Sequence, residues 1–532
     1  MKKFLALFLT LALFASVLPA LADVSPLLPY DGEEVVFQGF WDEYKQNIDD
    51  AINTITPLDE ALKEKVGNVR IAWEPIFSDA RQKLDLMMAT GDLPDIIVTV
   101  SMYSRLKKYD MGYYLDLRDY AEYAPNLMAA YEHFPTYDYL KGANGEIWWI
   151  PQQVISDASG ENWFVNTEAF EALGVEMPTT WEEVKDAMRL WKEQNPDKYP
   201  LLRPYWHWGL GDEISMIGFT QDYKGYGIYY DTDDGQWKFG LTEESSHAKE
   251  AVQELINMYE EGFFPPDALT RTRDQGYDTA RNGDWLFMYA YTQSPYTEMF
   301  NESAEEIPFA IDPIALPIPV PVTYHRGMYN YDGGVINADV KNPELLVSLV
   351  DYWQSEEVQM MDAFGIEGVS YEFDEKGNPV FLPGYQTVEE QNAFGIKLLD
   401  EPYYIFSFQR WAPLQMPAKP VDQMRPSERA SVTVTSWLHD GTLTLADHGL
   451  AAASLSDEDN EIVSAIMTPV NTFIDENLYM FVEGTRPMSE WDAFVEEALS
   501  YGDVAQALEI YNNSPVLLYS DEYEWMPVYS ID

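Results

Sequence analysis

The sequence contains no cysteine. Disulfides, thiolate nucleophiles and cysteine-ligated metals are therefore excluded in whatever compartment the chain works. Basic residues are scarce: 33 Lys and Arg stand against 90 Asp and Glu, a formal net charge of −57. Such a surface repels phosphate backbones and anionic headgroups, which argues against nucleic-acid and membrane-surface roles. Solubility is the ordinary reading of that charge, with a cationic ligand as the alternative. Histidine is limited to six positions, His133, His207, His247, His325, His439 and His448, none at ligand spacing, so no transition-metal site is expected.

Long apolar runs are lacking too, with one exception at the N-terminus. Lys2 and Lys3 precede an apolar stretch from Phe4 to Leu18, followed by Pro19 and Ala20-Leu21-Ala22. That order is the signature of a secretory signal peptide over residues 1–22, with cleavage expected after Ala22. The run falls short of the roughly 20 residues a membrane-spanning helix needs, so a soluble exported protein is expected.

The usual catalytic signatures are also missing. There is no G-x-S-x-G, H-E-x-x-H, G-x-x-x-x-G-K-[ST] or G-x-G-x-x-G. Asp231-Thr232-Asp233-Asp234-Gly235 resembles the start of a calcium loop, but the glycine comes one place early and Thr242 stands where glutamate is required. A hairpin turn is the better reading. Paired carboxylates for glycoside hydrolysis carry no information among 90 acidic residues. No catalytic residue, metal or cofactor is expected.

What the chain does have is α/β patterning. Hydrophobic residues make up 46% of 532, enough for folding and too many residues for one core, so two domains are expected. Val35 to Gly39 reads as a strand, a helix is expected from about Ser78 to Thr90 with Gly91 as its left-handed cap, and Ile96 to Val100 reads as a strand buried on both faces. Further helices are expected after a Thr180/Glu183 capping box, from Ser246 to Glu261, after Asn342 and Pro343 as cap and first residue, and from near Ser489 to before Gly502. Lys376-Gly377-Asn378 reads as a hairpin turn.

Aromatic residues, 14% of the chain, cluster beside turns at Tyr205-Trp206-His207-Trp208, Trp285 to Tyr291, Tyr329 to Tyr331 and Phe408 to Trp411. Aromatic walls with a few polar groups suit the apolar face and hydroxyl rim of a sugar ring.

On its motifs the sequence resembles the extracellular solute-binding proteins of family 1, the carbohydrate-type group of ATP-binding-cassette (ABC) importers, in particular its longer oligosaccharide-binding branch. Thr90-Gly91-Asp92-Leu93-Pro94-Asp95, Asn144-Gly145-Glu146-Ile147-Trp148-Trp149-Ile150-Pro151, Leu173-Gly174-Val175 to Trp181-Glu182-Glu183, Tyr259-Glu260-Glu261-Gly262, Phe364 to Tyr371, and Phe481-Val482-Glu483-Gly484 ahead of Trp491 follow in that order. The resemblance implies a two-lobed periplasmic-binding-protein-like fold, with two open sheets covered by helices and joined by hinge strands. It implies capture of a small ligand, an oligosaccharide, in an interlobe cleft and delivery to the permease subunits of an ABC importer. The chain departs from the pattern twice. Asp23 stands where many relatives carry a lipidated cysteine, and Asn195 to Pro200 is too short and acid-poor for the calcium loop of some members.

The first lobe is expected at 24–150 plus about 308–400, the second at about 151–307 plus 401–532. Ligands of open α/β sheets sit beyond the carboxyl ends of the strands. Candidate ligand-binding residues are accordingly Trp41 and Tyr103 in the first lobe, and Trp206, Trp208, Trp285, Arg410 and Trp411 in the second. Trp285 is chosen because the resemblance places a stacking tryptophan there. A secreted polysaccharide hydrolase or lyase, and a non-transporting surface lectin, stay open as alternatives.

Overall fold

The computed structural model describes residues 27–42, 56–76, 80–99, 106, 112–133, 137, 140–142, 144–151, 161–204, 227–231, 234–243, 246–268, 271–292, 294–297, 299–300, 307–317, 322–323, 333–375, 377–396, 424, 426–439, 442, 444–445, 451–453 and 455–518. The expected signal peptide lies outside them. The chain divides into two compact units, Met1–Ile155 with Met328–Gln423, and Ser156–Gly327 with Met424–Asp532.

Along the first unit run β1 (Tyr30–Asp42), α1 (Pro57–Val66), β2 (Gly67–Ile76), α2 (Ala80–Thr90), β3 (Ile96–Thr99), α3 (Pro125–His133) and β4 (Ile150–Pro151). The second unit contributes β5 (Glu161–Asn166), α4 (Trp181–Gln194), β6 (Leu201–Leu202), β7 (Ile228–Asp231), β8 (Gln236–Phe239), α5 (Ala248–Glu260), β9 (Phe287–Tyr291) and β10 (Ile311–Pro313). The chain then returns to the first unit with β11 (Gly333–Ile336) and α6 (Pro343–Tyr352). It ends in the second with α7 (Asp457–Val482), α8 (Trp491–Ser500) and α9 (Val504–Asn513).

Among the described residues the first unit holds a five-stranded sheet in the order β2-β1-β3-β11-β4. β1 runs parallel to both β2 and β3, with Phe40 opposite Ile97, and β11 is antiparallel to β3 and β4. The β-branched run at Ile96 is buried as its composition requires, with Ile96, Ile97, Val335 and Ile336 packed beneath Leu346, Leu349 and Trp353 of the α6 region. Gly91 ends α2 in the left-handed conformation, its N–H donating to Met87 O at 2.9 Å. Asn342 differs from its expected role. It sits in the left-handed region at φ 57° with no side-chain cap bond, and Pro343 alone marks the helix start.

The second unit's main sheet has the order β10-β5-β9-β6. β5 is antiparallel to β9 and β10, and β6 is parallel to β9. The Thr180/Glu183 capping box is formed in both directions, at 3.3 and 3.2 Å, and turns Val184, Ala187, Met188 and Trp191 inward. Asp231 and Asp234 belong to the β7–β8 hairpin, where Lys238 Nζ lies 2.6 Å from a carboxylate oxygen of each. One carboxylate oxygen of each thus pairs with the ammonium group.

Candidate ligand-binding edges

The parallel strands set the carboxyl edge of each sheet. In the first unit β1, β2 and β3 end together at Asp42, Ile76 and Thr99, and antiparallel β11 begins there, with Gly333 opposite both Thr99 and Pro151. Gly333 is required by close approach: a Cβ there would lie 2.4 Å from Ile150 O and 2.7 Å from the Trp149 ring. Trp41 is the penultimate residue of β1, in register with Pro75 and Val98, so its backbone lies inside the strand near this edge and not after it.

In the second unit β6, β9 and β10 all point the same way, ending at Leu202, Tyr291 and Pro313, and antiparallel β5 begins at that edge with Glu161. A buried polar cluster occupies the edge. Arg203 Nη2 lies 2.8 Å from Glu161 Oε1, with side chains 1% and 8% exposed. The guanidinium lies 5.1 Å from the ring centre of Tyr289, and Nη1 reaches the Tyr289 carbonyl at 3.5 Å. Beside them Asn162 Nδ2 donates to Thr292 Oγ1 at 2.8 Å, both residues buried.

Below this edge the same strands are apolar, with Phe164, Val165, Leu201, Phe287 and Met288 all buried. A desolvated ion pair and an amide–hydroxyl pair give packing little that apolar residues would not supply better. Their placement at the carboxyl edge is that of ligand-binding groups in open α/β sheets. Pro204, directly after Arg203, is fixed by a backbone-close helix. A Cβ on Gly276 would meet Pro204 O at 1.6 Å, so only glycine lets the helix Arg273–Asn282 rest on this segment.

Trp285 is a correction to the sequence reading. It is wholly buried, its indole N–H donates to Ala280 O at 3.0 Å, and its ring meets Phe309 edge-on at 5.9 Å. A ring so enclosed is packing, because Trp285 precedes β9 within the unit's interior instead of standing at the strand's carboxyl end. Tyr103, Trp206, Trp208, Arg410 and Trp411 lie outside the described residues, as does the side chain of Trp41. Sequence reasoning missed Glu161, Asn162, Arg203 and Thr292. The available signal was polarity at the tip of an apolar strand, as in Glu161-Asn162 before Trp163-Phe164-Val165 and Arg203 after Leu201-Leu202.

At the turn after α4, Lys192 Nζ donates to Lys198 O at 2.7 Å and lies 4.0 Å from the centre of the Tyr199 ring, while Lys198 Nζ pairs with Asp284 at 2.7 Å. Among the described residues no group of three or more His, Asp or Glu is arranged to hold a metal ion. No helix among them is long and apolar enough to cross a membrane.

Each of the two units is thus an α/β unit built on one main sheet with a defined carboxyl edge. The chain belongs to the bacterial extracellular solute-binding protein family, whose sequence model matches residues 46–360, and so captures a solute for import. It is 23% identical over 376 residues to lipoprotein LipO of Bacillus subtilis strain 168, covering 66% of this chain and 72% of that one. It is 26% identical over 318 residues to the fructooligosaccharide ABC transporter substrate-binding protein FusA of Streptococcus pneumoniae serotype 4, covering 54% and 56%. Among solved structures, the alginate-binding protein AlgQ2 without calcium ion superposes with a TM-score of 0.65 at 18% identity, over 92% of this chain and 99% of that one. The fold is the α/β, periplasmic-binding-protein-like fold of these solute-binding proteins.

Proposed function

We propose that this protein captures an oligosaccharide and delivers it to the permease subunits of an ABC importer. The observation that carries this reading is the Glu161, Asn162, Arg203, Thr292 cluster, buried polar groups grouped at the one edge of an α/β sheet where ligands bind. The fructooligosaccharide relative supports the ligand class. The two compact units serve as the two ligand-binding lobes. Trp41, Tyr103, Trp206, Trp208, Arg410 and Trp411 supply stacking faces and donors, since indole rings stack on sugars while a guanidinium donates to hydroxyls.

The mature protein begins after Ala22, carries no lipid and performs no chemistry on its ligand. Thermal-shift screening against an oligosaccharide panel, followed by calorimetry on the hits, tests the reading. A saturable ligand recovered intact is expected. Cleavage of the ligand would instead identify a hydrolase or lyase.

A further inference from the structure

We propose that Asn282 is the site at which this chain first deamidates, and that the change releases the segment leading into β9. Neither step depends on the oligosaccharide reading. Asparagine followed by glycine is the dipeptide most prone to this reaction, because glycine has no Cβ to keep its nitrogen from the asparagine side chain. The sequence holds two such pairs, Asn144-Gly145 and Asn282-Gly283. In the reaction the glycine nitrogen attacks the asparagine Cγ. A new N–Cγ bond forms, the Cγ–Nδ2 bond breaks, and the amide nitrogen leaves as ammonia with the proton of the glycine N–H. Water then opens the cyclic imide at either carbonyl, giving aspartate or isoaspartate, the latter with one extra methylene in the main chain.

Both asparagines are exposed, and their surroundings separate them. Asn144 is tied into a closed turn. Its Nδ2 donates to Glu146 Oε1 at 2.9 Å, its N–H donates to Glu146 Oε2 at 2.8 Å, and its carbonyl accepts from Arg118 Nη1 at 3.3 Å. Gly145 N–H donates to Gly142 O at 2.9 Å, and Gly142 N–H to Glu146 O at 2.8 Å. Asn282 is the last residue of the helix Arg273–Asn282, at an end that frays, and its side-chain amide bonds to none of the described residues. The attacking nitrogen of Gly283 is held by its bond to Ala280 O at 3.1 Å.

Gly283 is also where an extra methylene does most damage. Its φ of 68° suits the left-handed cap, a Cβ there would lie 2.7 Å from the Phe309 ring, and its carbonyl accepts from Asn166 Nδ2 at 3.2 Å. Ala280 O accepts from Trp285 Nε1 at 3.0 Å as well as from Gly283 N–H, which closes a loop over 280–285. A methylene inserted between Asn282 and Gly283 lengthens the main chain inside that loop and pulls the two donors off their shared acceptor.

The test is a time course of the purified whole protein in mildly alkaline buffer, with peptide mapping by mass spectrometry, enzymatic methylation to detect isoaspartate, and thermal melting of each sample. A synthetic peptide spanning Thr279 to Leu286 gives the rate without structure. Conversion at Asn282 is expected to run at least about tenfold faster than at Asn144, which must first give up its bonds to Glu146 and Arg118. The melting temperature is expected to fall as isoaspartate accumulates, and Asn282→Gln, whose longer side chain closes the ring far more slowly, is expected to keep it. Conversion of Asn144 at an equal or higher rate would overturn the assignment, as would an Asn282 that stays intact while the peptide converts. Isoaspartate at Asn282 with no loss of melting temperature, or an equal loss in Asn282→Gln, would overturn the release of the β9 segment.

Discussion

Arg203 and Glu161 form an ion pair almost completely withdrawn from water, with 2.8 Å between Nη2 and Oε1. A pair of this kind is costly to break and cheap to delete. Removing one partner leaves an uncompensated buried charge, whereas replacing both with neutral groups removes the desolvation cost along with the attraction. Arg203→Met alone is expected to destabilise the protein by about 3–5 kcal/mol, and Glu161→Gln/Arg203→Met by far less. Urea unfolding of the three proteins checks this; equal losses in single and double variants would mean that the pair is not coupled.

Asp351 of α6 gives the first unit a pH dependence. Its carboxylate accepts from Leu127 N–H at 2.8 Å and from Asn126 Nδ2 at 2.9 Å, at the start of α3. Burial nevertheless dominates and pushes its pKa up to about 7. A carboxyl with a raised folded pKa binds its proton more tightly in the folded state. Its contribution is therefore fully present below its ordinary pKa of 3.8 and is lost as pH rises through about 7. Wild-type protein is expected to lose stability relative to Asp351→Asn between pH 5 and pH 8. Urea midpoints at the two pH values are the readout, and a constant difference would contradict the assignment.

Two glycines should fail for different reasons. Gly276→Ala drives a Cβ into the Pro204 carbonyl, which must move, and is expected to cost about 1–3 kcal/mol or more as overpacking, together with ligand affinity through the adjoining Arg203. Gly91→Ala meets nothing within 4 Å but must hold φ 70°, so only about 1–2 kcal/mol is expected, with binding unchanged. Thermal denaturation with and without ligand separates the two.

Trp285 and Trp411 should behave oppositely. Trp285→Ala empties a wholly buried site and is expected to cost about 3–5 kcal/mol in stability. Trp411→Ala is expected to leave circular dichroism and melting unchanged while weakening ligand binding by about 1–3 kcal/mol, the range of aromatic stacking on a planar ring. A destabilised Trp411→Ala would reassign that residue to packing.

Local chemistry was legible in the sequence where it is self-contained. The Thr180/Glu183 box, the Gly91 cap and the buried β-branched run at Ile96 each depend on neighbours a few residues away, and each appears as read. The 26-residue helix α7 was not legible, because Pro469 lies inside it and a lone proline ordinarily ends a helical pattern. Its Met467, Val470, Ile474, Leu478 and Phe481 are buried, with α8 and α9 in the same core, and that packing outweighs the lost hydrogen bond. The Arg203–Glu161 pair was beyond reach for another reason. Its partners are 42 positions apart and meet only because β9 lies between β5 and β6 in the sheet. Trp285 shows the converse: aromatic clustering does not reveal which ring of Trp285 to Tyr291 faces inward, and this one is enclosed by Phe309.

The most direct measurement is calorimetric titration of the purified protein with kestose and the other neutral oligosaccharides, with chromatography of the ligand afterwards. Oligosaccharide capture is expected to give saturable one-to-one binding and return the sugar intact. An absence of binding across the panel, or recovery of shortened sugar, would contradict it.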